Sequence, residues 1–283
     1  MSVKEKQNNK EILSLQYSAR HAYNFAEVLG WLSWLLTLAL IIIGWFDNGT
    51  HPELVAYITA IITIINAAID YCRTRRIKLA AAIRSFIDYT LFGFEHNSIY
   101  NGFTVSKINE YSEFVAKFWT KTHEKQTTHS GSEEYKGVMN WYALKDGMTK
   151  EEEIASAQKE NCSFDASISK SSYVFTCIIL AVGLICIITI DNKLLLICAF
   201  APAILKIIKM FVAYNEYKKI NIEEQILVSK LNDCKSKYDL NILFELQKCI
   251  DERRRLDYIS LSFLYKLKST RLHNRISKEQ QSD

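Results

Sequence analysis

Two apolar runs set close together near the start of the chain constrain everything else about it. Residues 28–46 (VLGWLSWLLTLALIIIGWF) carry no charge, and residues 54–71 (LVAYITAIITIINAAIDY) carry only Asp70. An α-helix rises about 1.5 Å per residue, so roughly 20 apolar residues cross a hydrocarbon core of about 30 Å, and both runs have that length. The link between them, DNGTHPE at 47–53, holds turn formers and no Lys or Arg, whereas Arg73, Arg75, Arg76 and Lys78 follow the second run at once. Basic residues are retained on the inner side of a membrane, which predicts the link outside and the basic run inside.

The device recurs. Residues 173–190 and 194–213 are again apolar and are joined only by Asp191, Asn192 and Lys193. The predicted fold class is an all-α integral membrane protein with four transmembrane helices as two hairpins, a helical cytoplasmic insert and a helical cytoplasmic C-terminal region. The divisions are 1–27 (amphipathic entry helix), 28–71 (first hairpin), 72–171 (insert), 172–213 (second hairpin) and 214–283 (C-terminal region). A net charge of +4 conceals this organisation because averages mix apolar runs with charged flanks. The polar opening MSVKEKQNNK does not fit a cleaved secretory signal, whose apolar core lies close to the start. Lys4, Lys6, Lys10 and Arg20 precede the first run, and Lys218 and Lys219 follow the fourth. Both termini are therefore expected in the cytoplasm of a multi-pass protein. The seven cysteines are odd in number and scattered, with none in the outer turns, as for reduced thiols used as small apolar side chains.

Between and beyond the spans the periodicity is helical. Residues 11–27 place Ile12, Leu15, Ala19, Ala22, Phe25 and Ala26 at spacings of three and four, and Gln16, Arg20 and Glu27 elsewhere on the wheel. This helix serves either as an interfacial or subunit contact or as an extension packed on its own chain. Residues 79–91 read as an inward continuation of the second span, with Ala80, Ile83, Ile87 and Leu91 on one face. Residues 107–119 read as a helix with Ile108, Tyr111, Val115, Phe118 and Trp119 as its stripe; 122–134 read as a polar loop. Thr149 followed by Glu152 is a capping-box pattern that starts a helix through Gln158. In the last region Leu227, Leu231, Cys234, Tyr238, Ile242, Leu246 and Cys249 form a stripe too irregular for a long coiled coil, which favours packing within the chain.

One face of the second span is polar. Thr59, Thr63, Asn66 and Asp70 are separated by four, three and four residues. Polar side chains in a span face protein or water, so the stripe either lines a water-filled path of an oligomer, with Asp70 at its inner mouth, or bonds to neighbouring helices. Small residues in the first span (Gly30, Ser33, Thr37, Gly44) and the third (Thr176, Ala181, Gly183) suit close helix approach. Pro202 should bend the fourth span, and Lys206 and Lys209 either snorkel to headgroups or enter a polar path.

No catalytic set is present: no glycine-rich phosphate loop, no GxSxG and no HExxH. The reading is of a protein that is not an enzyme and needs no cofactor; His123 and His129 sit in a polar stretch without thiols, so no metal site is expected. The candidates for gripping a phosphate-bearing ligand are Arg73, Arg75, Arg76 and Lys78, with Arg253 and Arg254; the alternative is plain topology charge.

Several strings, in order, resemble one family. They are LSLQYSAR at 13–20, AAAIRSFID at 80–88, Asn140, Trp141 and Tyr142 followed by Gln158 and Asn161, and a tail with Leu246 and Gln247, then Ile250 to Arg253, then Phe263 to Tyr265. They are similar to the S-4TM family of pore-forming effectors in bacterial nucleotide-signalled, CBASS-type antiphage systems. The resemblance implies an inner-membrane homo-oligomer that permeabilises the membrane when a cytoplasmic signal, such as a cyclic oligonucleotide from a partner nucleotide synthase, engages it. It implies membrane lipid as a partner and neither DNA nor RNA. The alternative is a membrane-anchored sensor or scaffold that recruits a soluble partner without conducting.

Overall fold

The computed structural model describes residues 2–47, 50–131, 133, 137–163, 174, 177–178, 193–233 and 238–256. Two long helices dominate: α2 (Lys10–Asp47), preceded by the short α1 (Val3–Lys6), and α3 (Pro52–Phe92). Proline at the first position of α3 costs nothing, since that N–H would have no intrahelical partner. The helix stops at Gly93, whose φ of 71° suits a residue without Cβ and lets its N–H reach the Tyr89 carbonyl. Each helix is continuous across the predicted border between membrane run and polar flank, because nothing in residues 20–30 or 70–80 breaks a helix.

α2 and α3 pack against each other as an antiparallel hairpin. Both contain a stretch long and apolar enough to cross a membrane, within Lys10–Ile43 and Glu53–Phe92. Leu35, Leu38, Ile61 and Ile64 stand outward from the pair and are exposed, as lipid-facing apolar side chains are. Among the described residues these two helices meet that criterion. The third expected span lies outside the described residues apart from 174, 177 and 178, as do Thr176, Ala181 and Gly183. The fourth forms the first half of α7 (Lys193–Asp233), which holds Pro202 within it and runs on past the predicted border at 213.

The other half of the molecule is a helical body built on the polar ends of these long helices. Following α3, Ile99–Tyr100 (β1) and Phe103–Thr104 (β2) form an antiparallel hairpin. Asn101 and Gly102 both have positive φ, the conformation that a two-residue turn with the right twist demands. This corrects the all-α expectation at one place; the strands are too short to show alternation in a sequence. Thr104 then caps α4 (Val105–Phe118), accepting a hydrogen bond from the Lys107 N–H. α5 (Thr120–Thr127) takes up the first part of the expected loop at 122–134, with Thr127 and the capping Thr128 bonding back to main-chain carbonyls a turn earlier, while residues 128–131 are non-helical. α6, residues 150–163, starts with the capping box: Glu152 N–H donates to Thr149 Oγ1, and Thr149 N–H to Glu152 Oε2. α8 (Leu240–Arg255), capped by Asp239, closes the body against α7 and α3.

The core gathers one face from each element. Ala19, Ala80, Ala82, Ile83, Ile87, Ile108, Ile154, Leu231 and Leu246 are buried completely. The alanines on α2 and α3 let the two backbones approach closely where the body begins. The entry helix thus packs on its own chain, and Gln16, expected outside, is buried beside Arg84, whose guanidinium donates to its Oε1. Of the predicted stripe, Leu227 and Leu231 on α7, Tyr238 before α8, and Ile242 and Leu246 on α8 meet this core, so the stripe is not carried on one helix. Phe118 and Trp119 depart from their expected place: they stand 64% and 40% exposed.

Candidate functional site

Within the apolar zone the α2–α3 hairpin encloses a narrow polar seam, and α7 reaches into it. Ser33 and Thr37 lie one turn apart on α2, opposite Asn66 and Asp70 one turn apart on α3. Ser33 Oγ donates to Asn66 Oδ1 at 2.9 Å and approaches Asp70 Oδ1 at 3.4 Å, while Asn66 Nδ2 reaches Thr37 Oγ1 at 3.4 Å. Lys206 of α7 donates to the Ser33 carbonyl at 2.6 Å, to Ser33 Oγ at 2.5 Å and to Thr37 Oγ1 at 2.7 Å. Lys209, one turn further on, pairs with Asp70 at 3.4 Å. Polar groups that would be costly against lipid thus satisfy one another between three helices. The Lys206 ammonium turns to the hairpin, whereas the Lys209 side chain stays largely exposed beside Asp70.

The predicted stripe divides here. Asn66 is buried in the seam and Asp70 sits partly exposed at its end. Thr59 is half-buried, and Thr63 is exposed, with its hydroxyl bonded back to the Thr59 carbonyl. The four residues lie on one broad side of α3, but only Asn66 and Asp70 bond across to α2 and α7. Ser33 and Thr37 carry the other half of the site. Their spacing of four, matching Asn66 and Asp70, is the signal in the sequence that identifies them as partners.

The basic candidates separate into two settings. Arg75 and Lys78 are exposed. Arg73 lies across Gly30, where a Cβ would meet its Nε at 3.2 Å. Arg76 sits 5.1 Å from the Phe25 ring and 5.4 Å from that of Tyr111, a cation between two aromatic faces. Arg253 and Arg254 are interior. Arg253 pairs with Glu224 at 2.6 Å, both side chains buried, and Arg254 donates to Asp88 Oδ2 at 2.7 Å. These two guanidinium groups hold the body together instead of facing a ligand.

Asp88 is the centre of that interior network, at the membrane-distal end of α3. It accepts from Tyr142 Oη at 2.8 Å, from Arg254, and from Gln247 Nε2 at 3.2 Å. Tyr142 Oη in turn accepts from Asn161, and Gln247 accepts from Gln158. Asp251 accepts from Ser85 at 2.7 Å. Burial disfavours the charge on Arg254, yet Asp88, Tyr142 and Asp251 beside it raise its proton affinity above the ordinary guanidinium value. Burial pushes the Asp251 carboxyl up to about 6 and that of Glu160, on α6, up to about 7. The strings at 80–88, 140–142 and 246–253, with Gln158 and Asn161, thus converge on one buried knot that ties α3, α6 and α8. Nothing in their spacing announces this, since partners lie up to 166 residues apart.

No curated protein and no solved structure matches the chain. A family model described as the SMODS-associating 4TM effector domain matches residues 1–282, essentially the whole chain. The chain belongs to the SMODS-associating 4TM effector domain family.

Proposed function

We propose that this protein is a membrane-permeabilising effector that acts by opening a path rather than by catalysis. In this reading it crosses the bacterial inner membrane four times, with both termini and the helical body in the cytoplasm, and assembles as a homo-oligomer. Its trigger is a product, such as a cyclic oligonucleotide, of the SMODS nucleotide synthase that the family accompanies. The observation that carries the reading is the insertion of Lys206 into the polar seam of the hairpin, with Lys209 meeting Asp70 at its exposed end. A seam with polar groups from three helices has two ways to be satisfied: closed on itself, or opened to water between subunits. Signal binding drives the second only in so far as the signal binds the open arrangement more tightly than the closed one.

The test is induced expression with the cognate synthase, followed by membrane-potential dyes and dye exclusion. Depolarisation on signal production supports the reading, and unchanged potential with intact membranes overturns it. Topology is checked in parallel with an impermeant maleimide: cysteine placed at Asn48 or Asn192 should react from outside, and one at Ser130 should not.

The satisfaction of Asn66 and Ser33 within one chain favours a second reading, in which the hairpin is a fixed anchor and the body recruits a soluble partner. Capture of a stoichiometric soluble protein from cells whose membrane potential stays intact would select that reading.

A further inference from the structure

The membrane-facing end of the body carries three partly exposed aromatic rings. Phe114 (43% exposed), Phe118 (64%) and Trp119 (40%) touch one another, with Phe114 and Phe118 centroids 4.6 Å apart and Phe114 and Trp119 5.7 Å apart. Lys117 and Lys121 stand exposed beside them. Glu113 points roughly 100° away from Phe114 around the helix, and Glu110 lies a turn earlier.

The position of this patch is fixed by contacts on its other side. Trp119 packs on His21 with centroids 4.4 Å apart, and Tyr111, on the same stripe of α4, hydrogen-bonds His21 at 2.9 Å. Tyr111 also shares the Arg76 guanidinium with Phe25. Phe25 precedes the apolar run at Val28 by three residues, about 4.5 Å along the helix, and the headgroup layer is roughly 5–7 Å deep. The stripe therefore runs from the level of Phe25, which Tyr111 meets through Arg76, to that of His21, which Trp119 touches about 10 Å along the helix from Val28.

We propose that the α4–α5 corner is an interfacial anchor. Phe114, Phe118 and Trp119 insert among the headgroups of the bilayer that the hairpin crosses, and Lys117 and Lys121 engage anionic phospholipid. The inference rests on the proposal that α2 and α3 span the membrane. Three observations select lipid as the occupant. The patch is linked through Tyr111 and Arg76 to Phe25, which is itself exposed where the apolar surface of the hairpin begins. Amphipathic aromatic rings favour the headgroup level, and Lys side chains flanking them match an anionic leaflet. The anchor makes α4 a rigid link between bilayer and body, through Tyr111 to Arg76 and through Ser112 to Ser14 and Ser18 of α2.

The experiment is photocrosslinking of the full chain in vesicles, read by intact mass. The photoreactive residue p-benzoylphenylalanine replaces Phe118, or Leu35 on the outer face of α2, or Ile99 in β1, past the far end of α3. The vesicles contain phosphatidylcholine alone or mixed with phosphatidylglycerol. Lipid adducts at 118 and 35, with none at 99, are expected. Each lysine near an anionic surface contributes roughly fivefold to local binding, so Lys117→Glu with Lys121→Glu should cut the adduct at 118 in the mixed vesicles by about tenfold or more while leaving that at 35 unchanged. An adduct at 35 without one at 118, or a protein dimer crosslinked through 118, overturns the anchor. Absence at 35 as well shows that the spanning reading has failed, and the anchor falls with it. An unchanged yield in the double lysine variant overturns the electrostatic part.

Discussion

Lys206 places its ammonium 2.6 Å from the main-chain oxygen of Ser33, so α7 is held to the hairpin by a partly buried charge beside a helix backbone. Loss of that group leaves Ser33 and Thr37 with one donor fewer and weakens the docking of α7 by roughly 1–3 kcal/mol. Lys206→Met is expected to permeabilise cells without any signal. The measurement is dye entry on induction in a strain lacking the synthase, paired with the yield of folded protein. A stable variant that remains tight until signalled would mean that Lys206 does not hold the closed form.

Asp70 sits at the end of the seam, paired with Lys209 and reached by Ser33. Asp70→Asn keeps the hydrogen-bonding shape and removes the charge. It should shift ion preference in current recordings while inserting normally. Asn66→Leu should lower conduction, because an apolar constriction dewets. Normal selectivity in a stable Asp70→Asn protein would remove Asp70 from the conducting path, and a loss of folded yield in both variants with normal currents would assign the seam to structure alone.

Arg254 and Arg75 provide a contrast within the basic residues. Breaking a buried ion pair strands the remaining charge, so Arg254→Ala should destabilise the body by about 3–5 kcal/mol, visible as a lower unfolding temperature in detergent. Arg75→Ala with Lys78→Ala removes exposed charge and should leave stability within about 0.5 kcal/mol. If an anionic signal binds through the basic run, the second variant loses the response and keeps the fold. Equal stability of wild type and Arg254→Ala would contradict the network around Asp88.

Glu160 is a buried carboxyl whose Oε2 accepts from the Ala143 N–H, and burial pushes its pKa up to about 7. The folded state therefore holds its proton more tightly than the unfolded chain. Its contribution to stability is complete below the ordinary carboxylate range and is lost as pH rises through about 7. Glu160→Gln should flatten the decline in stability between acidic and mildly alkaline pH and stabilise the protein on the alkaline side by an amount on the order of 2 kcal/mol. Denaturant midpoints across that window check it, and parallel profiles for variant and wild type would show that Glu160 ionises like an exposed carboxyl.

What could be read in advance were features governed by local spacing. Ala80, Ile83, Ile87 and Leu91 lie on the predicted face of α3, and all four are buried. The capping box at Thr149 forms as its pattern demands. Where spacing misled, a second physical effect overrode it. Phe118 and Trp119 fit the apolar stripe of α4, but the helix ends at the rim of the body, where His21 covers only one side of Trp119 and both rings stay exposed. The stretch from Thr120 onward is polar enough to read as loop, yet its threonine hydroxyls donate to main-chain carbonyls a turn earlier, and it is helical to Thr127.

The sequence by itself determined the two long helices of the hairpin, the apolar runs within them and the family, because these depend on residues that are neighbours along the chain. Only the tertiary structure decided what the charges do. Arg253 and Arg254 look like Arg75 and Lys78 in sequence, yet the first pair neutralises Glu224 and Asp88 in the interior while the second faces solvent. Lys206 meets Ser33, 173 residues away, and Arg254 meets Asp88, 166 residues away. A charge takes its role from the dielectric around it and from the partner within about 4 Å, and both are created only when distant segments of the chain pack together.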